Sequence, residues 1–248
     1  MRQVVSSVVL LLGFISTAAV RADNDTVATH LIPFDSMTAS NRALARGVTD
    51  HYTLRREYAP EQFKGRVEAF EYLLDNMDAC SALAQKLGLI RYRATRRADG
   101  RLYADDRKGA TGYLLNAYAA TGMRIVYVEG TQRGWFDVRG RGVAVVNYHQ
   151  KTSDVVEYAR AAFVRVDNVV LAALAQLFSV FLRGTVDSHF THVISNPVKL
   201  SEKAQVEPEK LLNEIAQMSA ADQEMLAPFT ALVRSHANPR LKPAGQVE

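Results

Sequence analysis

Between residues 89 and 166 the chain repeats one pattern: short runs of alternating apolar and polar side chains, about ten residues apart, divided by breaks that mostly contain glycine. A period of two puts successive side chains on opposite faces of an extended backbone. Breaks this short permit only hairpins, because parallel strands need a crossover of a dozen or more residues. The pattern predicts an antiparallel meander with strands at 89–95, 101–105, 112–118, 124–129, 135–138, 143–150 and 155–166. Breaks fall at 98–100, 106–109, 121–122, 130–134, 140–142 and 151–154.

Helical periodicity flanks these strands. After Pro60, the residues Val67, Phe70, Leu73, Leu74, Met77, Cys80, Leu83, Ala84 and Leu87 recur at steps of three and four, so 61–87 reads as an amphipathic helix stopped by Gly88. Beyond the N-cap-competent pair Asp167-Asn168, the run 169–182 is apolar nearly all round. It is shorter than the roughly 20 residues a bilayer span requires, so it reads as a helix buried on every side. After Asn196-Pro197, the stretch 201–218 contains Pro208 and reads as two helices, the first ending at Val206, and 220–235 reads as a last one. Strands and helices in separate blocks predict the α+β class, an antiparallel sheet of six or seven strands flanked by an N-terminal helix and several C-terminal helices.

The ends differ in character. Residues 1–22 have the short cationic start, apolar middle and small-residue cleavage site of a signal peptide, processed after Ala22, which predicts export, with a bacterial periplasm as the expected compartment. Residues 23–60 are polar and lack a sustained period; they are expected as an N-terminal arm with one short helix at 39–46, ahead of a single α+β domain at 61–235 and a polar tail at 236–248. Cys80 has no partner for an internal disulfide and sits on the apolar stripe of its helix, the position of a small buried hydrophobe. The whole chain has 30 basic against 26 acidic residues, and removing 1–22 takes away only Arg2 and Arg21. A balance that close to neutral argues against nucleic acid as a partner.

This order of elements, and the strand-to-helix passage over 155–182, resembles the START-like helix-grip family of lipid-binding domains across about residues 61–185. The resemblance implies a curved sheet wrapped round a C-terminal helix, with an apolar cavity between them. Its lining is then expected from Tyr92, Tyr113, Leu115, Ile125, Tyr127, Val145, Phe163, Leu174, Phe178 and Phe181.

Candidate chemistry is sparse. Arg91, Arg93, Arg96, Arg97 and Arg101 make the densest cationic stretch, read either as a solvated strand face or as a contact for anionic groups. Trp135 and Phe136, in a glycine-flanked hairpin between Arg133 and Arg139, either cover one end of the sheet or touch a membrane; Arg91, Arg93, Arg97, Trp135 and Phe136 are the residues expected at such a surface. Asp187, His189 and His192 lack the third ligand a zinc site requires, and no nucleophile elbow or phosphate loop occurs. No metal or cofactor is expected. The reading is an exported envelope protein that binds an apolar or lipid-like molecule without catalysis. The alternatives are a structural or interaction protein with a solid core, and an enzyme using His149, His189 or His192.

Overall fold

The computed structural model describes residues 31–91, 93–107, 109–133, 137–167 and 194–237. The expected α+β class is what they form, with seven antiparallel strands in one sheet. A helix, α1 (Ala39–Thr49), precedes strand β1 (Leu54–Lys64), and helices α2 (Val67–Asp75) and α3 (Met77–Lys86) follow it. The meander then runs through β2 (Thr95–Arg96), β3 (Leu102–Asp105), β4 (Ala110–Ala120), β5 (Met123–Gln132), β6 (Val138–Thr152) and β7 (Val155–Val166). Residues 194–206 are helical (α4), followed by α5 (Pro208–Ala216), α6 (Ala220–Met225) and α7 (Ala227–Ala237).

The strand order is β1-β7-β6-β5-β4-β3-β2, so β1 and β2 lie at opposite edges although they are neighbours in the chain. The connection between them must cross a face of the sheet, and α2 and α3 do so. Phe70 and Leu74 of α2 pack on Val146, Tyr148, Val156 and Tyr158, while Met77 of α3 packs on Leu102, Val126 and Ala144. We call this side the inner face. Helices α4 to α7 close over α2 and α3 through a further cluster that includes Leu73, Leu83, Leu200, Leu211, Leu226 and Phe229.

Glycine lets neighbouring strands approach closely in the middle of the sheet. Across β4, β5 and β6 the register sets Gly112 opposite Gly130 and Gly130 opposite Gly140. A Cβ on Gly112 would lie 2.6 Å from the Glu129 carbonyl oxygen, and one on Gly130 would lie 2.7 Å from that of Thr111. We therefore expect Gly130→Val to destabilise the fold by about 2–3 kcal/mol, through forced backbone movement. Gly47 in α1 has nothing within 4 Å of the corresponding position. Gly47→Ala should accordingly raise stability by about 0.5–1 kcal/mol. Urea midpoints of the two variants measure both signs.

Four expectations are corrected. No helix begins after Pro60: residues through Lys64 belong to β1, and the predicted single helix is two, broken at Asn76. Pro60 sits in a bulge between Tyr58 and Glu61 on an edge strand, where a residue without an N–H is tolerated. The polar stretch 23–60 is not peripheral from Leu31 onward. Ile32, Phe34, Met37, Ala45 and Val48 bury themselves against the outer face of the sheet. The strand expected at 89–95 shrinks to Thr95–Arg96. Ala94 donates its N–H to Ser81 Oγ at 2.9 Å and Arg96 pairs with Asp78, so α3 takes the bonds a strand would have used. Finally, 140–142 is no turn but lies within β6, near its start, with Gly140 and Gly142 paired to Val166 and Val164 of β7.

Candidate functional site

Alternation along β7 puts Val156, Tyr158, Arg160, Ala162 and Val164 on the inner face, and the register carries that face across the sheet. One cross-strand row reads Arg56, Ala162, Ala144, Val126; a neighbouring one reads Tyr58, Arg160, Val146, Arg124. Small side chains therefore floor the centre of the inner face, while an arginine and a tyrosine stand at its β1–β7 rim.

The bulge in β1 assembles this rim. Residues three apart on a regular strand face opposite ways, but the one extra residue between Tyr58 and Glu61, where two residues oppose one on β7, brings both to the inner side. Glu61 accepts from Arg160 Nη2 at 2.5 Å and from the Tyr158 hydroxyl at 2.5 Å. The Arg160 guanidinium lies 4.7 Å from the centre of the Tyr58 ring and 5.7 Å from that of Tyr158. The Tyr158 hydrogen bond holds the Glu61 carboxyl below the usual carboxylate range; partial burial opposes this, and Arg160 adds to it. Burial, with Glu61 beside it, pushes the Tyr158 phenol up. The Arg160 side chain is 13% exposed and Glu61 49%, so the pair runs from the buried floor to solvent. Tyr58, Ala144, Val146, Arg160, Ala162 and Ile194 line a recess of about 10 Å³, at the lower limit of what one water occupies.

Arg124 makes a second inner-face cluster. It donates to Asp75 at 2.6 and 2.8 Å and to the carbonyls of Ala120 and Met123 at 2.5 and 2.9 Å, while Tyr148 donates to Glu71 at 2.8 Å. This network ties α2 to the sheet and leaves no nitrogen of Arg124 without an acceptor.

Of the expected lining residues, Tyr113, Leu115, Ile125, Tyr127, Val145 and Phe163 share one face, but it is the outer face, under α1. Ile125, Tyr127, Val145 and Phe163 are buried there in solid packing. Tyr113, Leu115 and Tyr127, with Leu44, Arg101 and Glu129, line a recess of about 70 Å³. That is well short of the roughly 300–1,000 Å³ of a small-molecule pocket. Its polar groups satisfy one another: Arg101 donates to Glu129 at 2.9 Å and Asp99 at 2.7 Å, and Tyr127 to Glu129 at 3.3 Å. Tyr92, Leu174, Phe178 and Phe181 lie outside the described residues.

The arginine stretch is not one face. Arg93 is bonded to Asp222, Arg96 to Asp78, and Arg97 stacks 4.7 Å over Tyr103, whereas Arg91 is exposed. Trp135, Phe136, Asp187, His189 and His192 lie outside the described residues. His149 is 64% exposed, 3.7 Å from Glu157 on the outer face and away from both recesses. Among the described residues no cluster of His, Cys, Asp or Glu could hold a metal ion, and no helix is long and apolar enough to cross a membrane. Burial pushes the Cys80 thiol up, as expected of a core cysteine. The rim residues Tyr58, Glu61, Tyr158 and Arg160 escaped the sequence reading. Their one local signal is an arginine and a tyrosine on the otherwise apolar face of β7.

No protein-family model and no curated protein matches the chain. Among solved structures, a conserved protein from Geobacillus kaustophilus aligns at a TM-score of 0.42 and 12% identity, over 59% of this chain and 96% of its own. Norcoclaurine synthase from Thalictrum flavum aligns at 0.40 and 10%, over 62% and 95%. XoxI from Bacillus cereus aligns at 0.36 and 10%, over 62% and 97%. These are distant likenesses, and the fold assignment rests on the strand order and register of the sheet itself.

Proposed function

We propose that this chain is a non-catalytic binding protein of the cell envelope that holds an apolar or lipid-like molecule against the inner face of its sheet. The observation that carries the reading is the make-up of that face: a floor of glycine and alanine with polar groups gathered at one rim. Apolar sites with a few placed polar groups are how proteins recognise such molecules. The described residues enclose only the small recess at the rim. Export with processing after Ala22 belongs to the same proposal, supported by the character of residues 1–22. Contact with an anionic membrane surface is proposed through exposed Arg91 and Arg97 and through Trp135 and Phe136; Arg93 is already held by Asp222.

A second reading, a structural or interaction protein, is favoured by the solid packing of Ile125, Val145 and Phe163 under α1. One experiment separates the two. Protein purified from the envelope fraction should show, by native mass spectrometry, a chain beginning at Asp23 and a co-purifying adduct that organic extraction removes. A bare chain that takes up no added lipid would support the solid-core reading. An intact Met1 would remove the export proposal.

A further inference from the structure

The outer-face recess of about 70 Å³ is too small for a whole ligand but large enough for one substituent of a ligand. One water takes up roughly 10–15 Å³ of such space, so the recess has room for a group of several non-hydrogen atoms. Leu44, Leu115 and the rings of Tyr113 and Tyr127 give it apolar walls. Arg101 and Glu129 also line it, and their side chains are 41% and 38% exposed, so they stand at its mouth. The ion pair between them leaves bonding capacity on both partners. Arg101 donates from Nε to Asp99 and from Nη1 to Glu129, while Nη2 has no acceptor among the described residues. One oxygen of Glu129 accepts from Arg101 at 2.9 Å, and the other receives only the Tyr127 hydroxyl at 3.3 Å, which leaves a lone pair unused. A donor, an acceptor and an apolar hollow therefore share one recess.

We propose that this recess binds the N-acetyl group of an amino sugar. A secondary acetamide matches each part: its methyl enters the hollow against Leu44 and Leu115, its carbonyl oxygen accepts from Arg101 Nη2, and its N–H donates to Glu129. The group is uncharged because Asp99 and Glu129 already balance Arg101, and a charged group of either sign would meet a like charge at the mouth. The sugar follows from what lies beside the mouth. Tyr113 pairs across strands with Tyr103, their ring centres 5.4 Å apart, and Arg101 and Arg97 lie 4.5 and 4.7 Å from the centres of these two rings. A pyranose has an apolar C–H face and a hydroxylated edge, which suits half-buried tyrosine rings bordered by guanidinium N–H groups. The site lies on the face opposite the apolar-ligand floor and does not depend on that reading.

The test is calorimetric titration of the full chain with trisaccharides of one linkage, the trimers of N-acetylglucosamine, glucosamine and glucose. The acetylated trimer should bind about tenfold tighter than either of the others, the effect of a hydrogen bond to a charged group that only its amide makes. The glucose trimer takes the charge of the free amine out of the comparison. Arg101→Lys, which keeps the charge but not the planar fork, should abolish most of the preference. Leu44→Phe, which fills the recess and leaves the polar pair in place, should do the same. Equal binding of the trimers by the wild type, or binding of none, would overturn the proposal. A preference that persists in both variants would overturn it too, by placing the site elsewhere. Binding of N-acetyl-lysine as tightly as the acetylated trimer would overturn the sugar, by pointing to an acetylated protein side chain. The wild-type comparison decides the matter even if a variant does not fold.

Discussion

A chain starting at Thr53 should show no cooperative thermal transition and should bind a dye that reports exposed apolar surface. Such a truncation removes α1 and the turn before it, and with them the cover of the outer face. Ile125, Val143, Val145 and Phe163 are each at most 1% exposed beneath that cover. Fully burying a side chain of this kind contributes about 1.5–3 kcal/mol. Uncovering four of them therefore forfeits an amount comparable with the whole stability of a typical domain, about 5–15 kcal/mol. The truncation also removes Asn41, whose side-chain amide donates to the Ala117 carbonyl in the β4 bulge at 2.9 Å. Circular dichroism melts of the full and shortened chains decide the matter. A shortened chain that melts as sharply as the parent would show that residues 31–52 are the dispensable arm their polarity suggests.

Phe70→Ala should lower stability by about 3–5 kcal/mol, the usual cost of emptying an aromatic site in a core. Phe70 is wholly buried where α2 meets the sheet, with ring centres 5.1 Å from Phe63, 5.3 Å from Tyr148 and 6.1 Å from Tyr158. Two of those neighbours, Tyr148 and Tyr158, hold the polar clusters through Glu71 and Glu61. The cavity left by the substitution would loosen both clusters as well as the helix. Denaturant midpoints measure the loss, and Phe70→Leu, which keeps most of the volume, should recover a large part of it. A change under about 1 kcal/mol in Phe70→Ala would mean that α2 is not anchored on the inner face.

Features carried by neighbouring residues were legible in the sequence. Alternation over 155–166 specified β7 to its ends, because each residue's face follows from its predecessor. The period of three and four in the 61–87 stretch identified the faces of α2 and α3, although it missed the break at Asn76. Pro208 marked the start of α5, since a proline at the first turn sacrifices no hydrogen bond. The shared face of Tyr113, Leu115, Ile125, Tyr127, Val145 and Phe163 was legible for the same reason, but what covers that face was not.

Tertiary structure alone decided the rest. Ile32, Phe34 and Val48 are too widely spaced among polar residues to show a period, and only contact with the outer face makes them core. Pro60 reads locally as the start of a helix, and only the pairing of β1 with β7 makes it part of a bulge. That bulge turns Glu61 toward Arg160, a residue 99 positions away. The sequence by itself determined the antiparallel strands and most of the helices, because backbone periodicity depends on near neighbours. The cover of the outer face and the Arg160–Glu61–Tyr158 rim depend on which distant strands become neighbours, and that is set by the burial of the whole sheet.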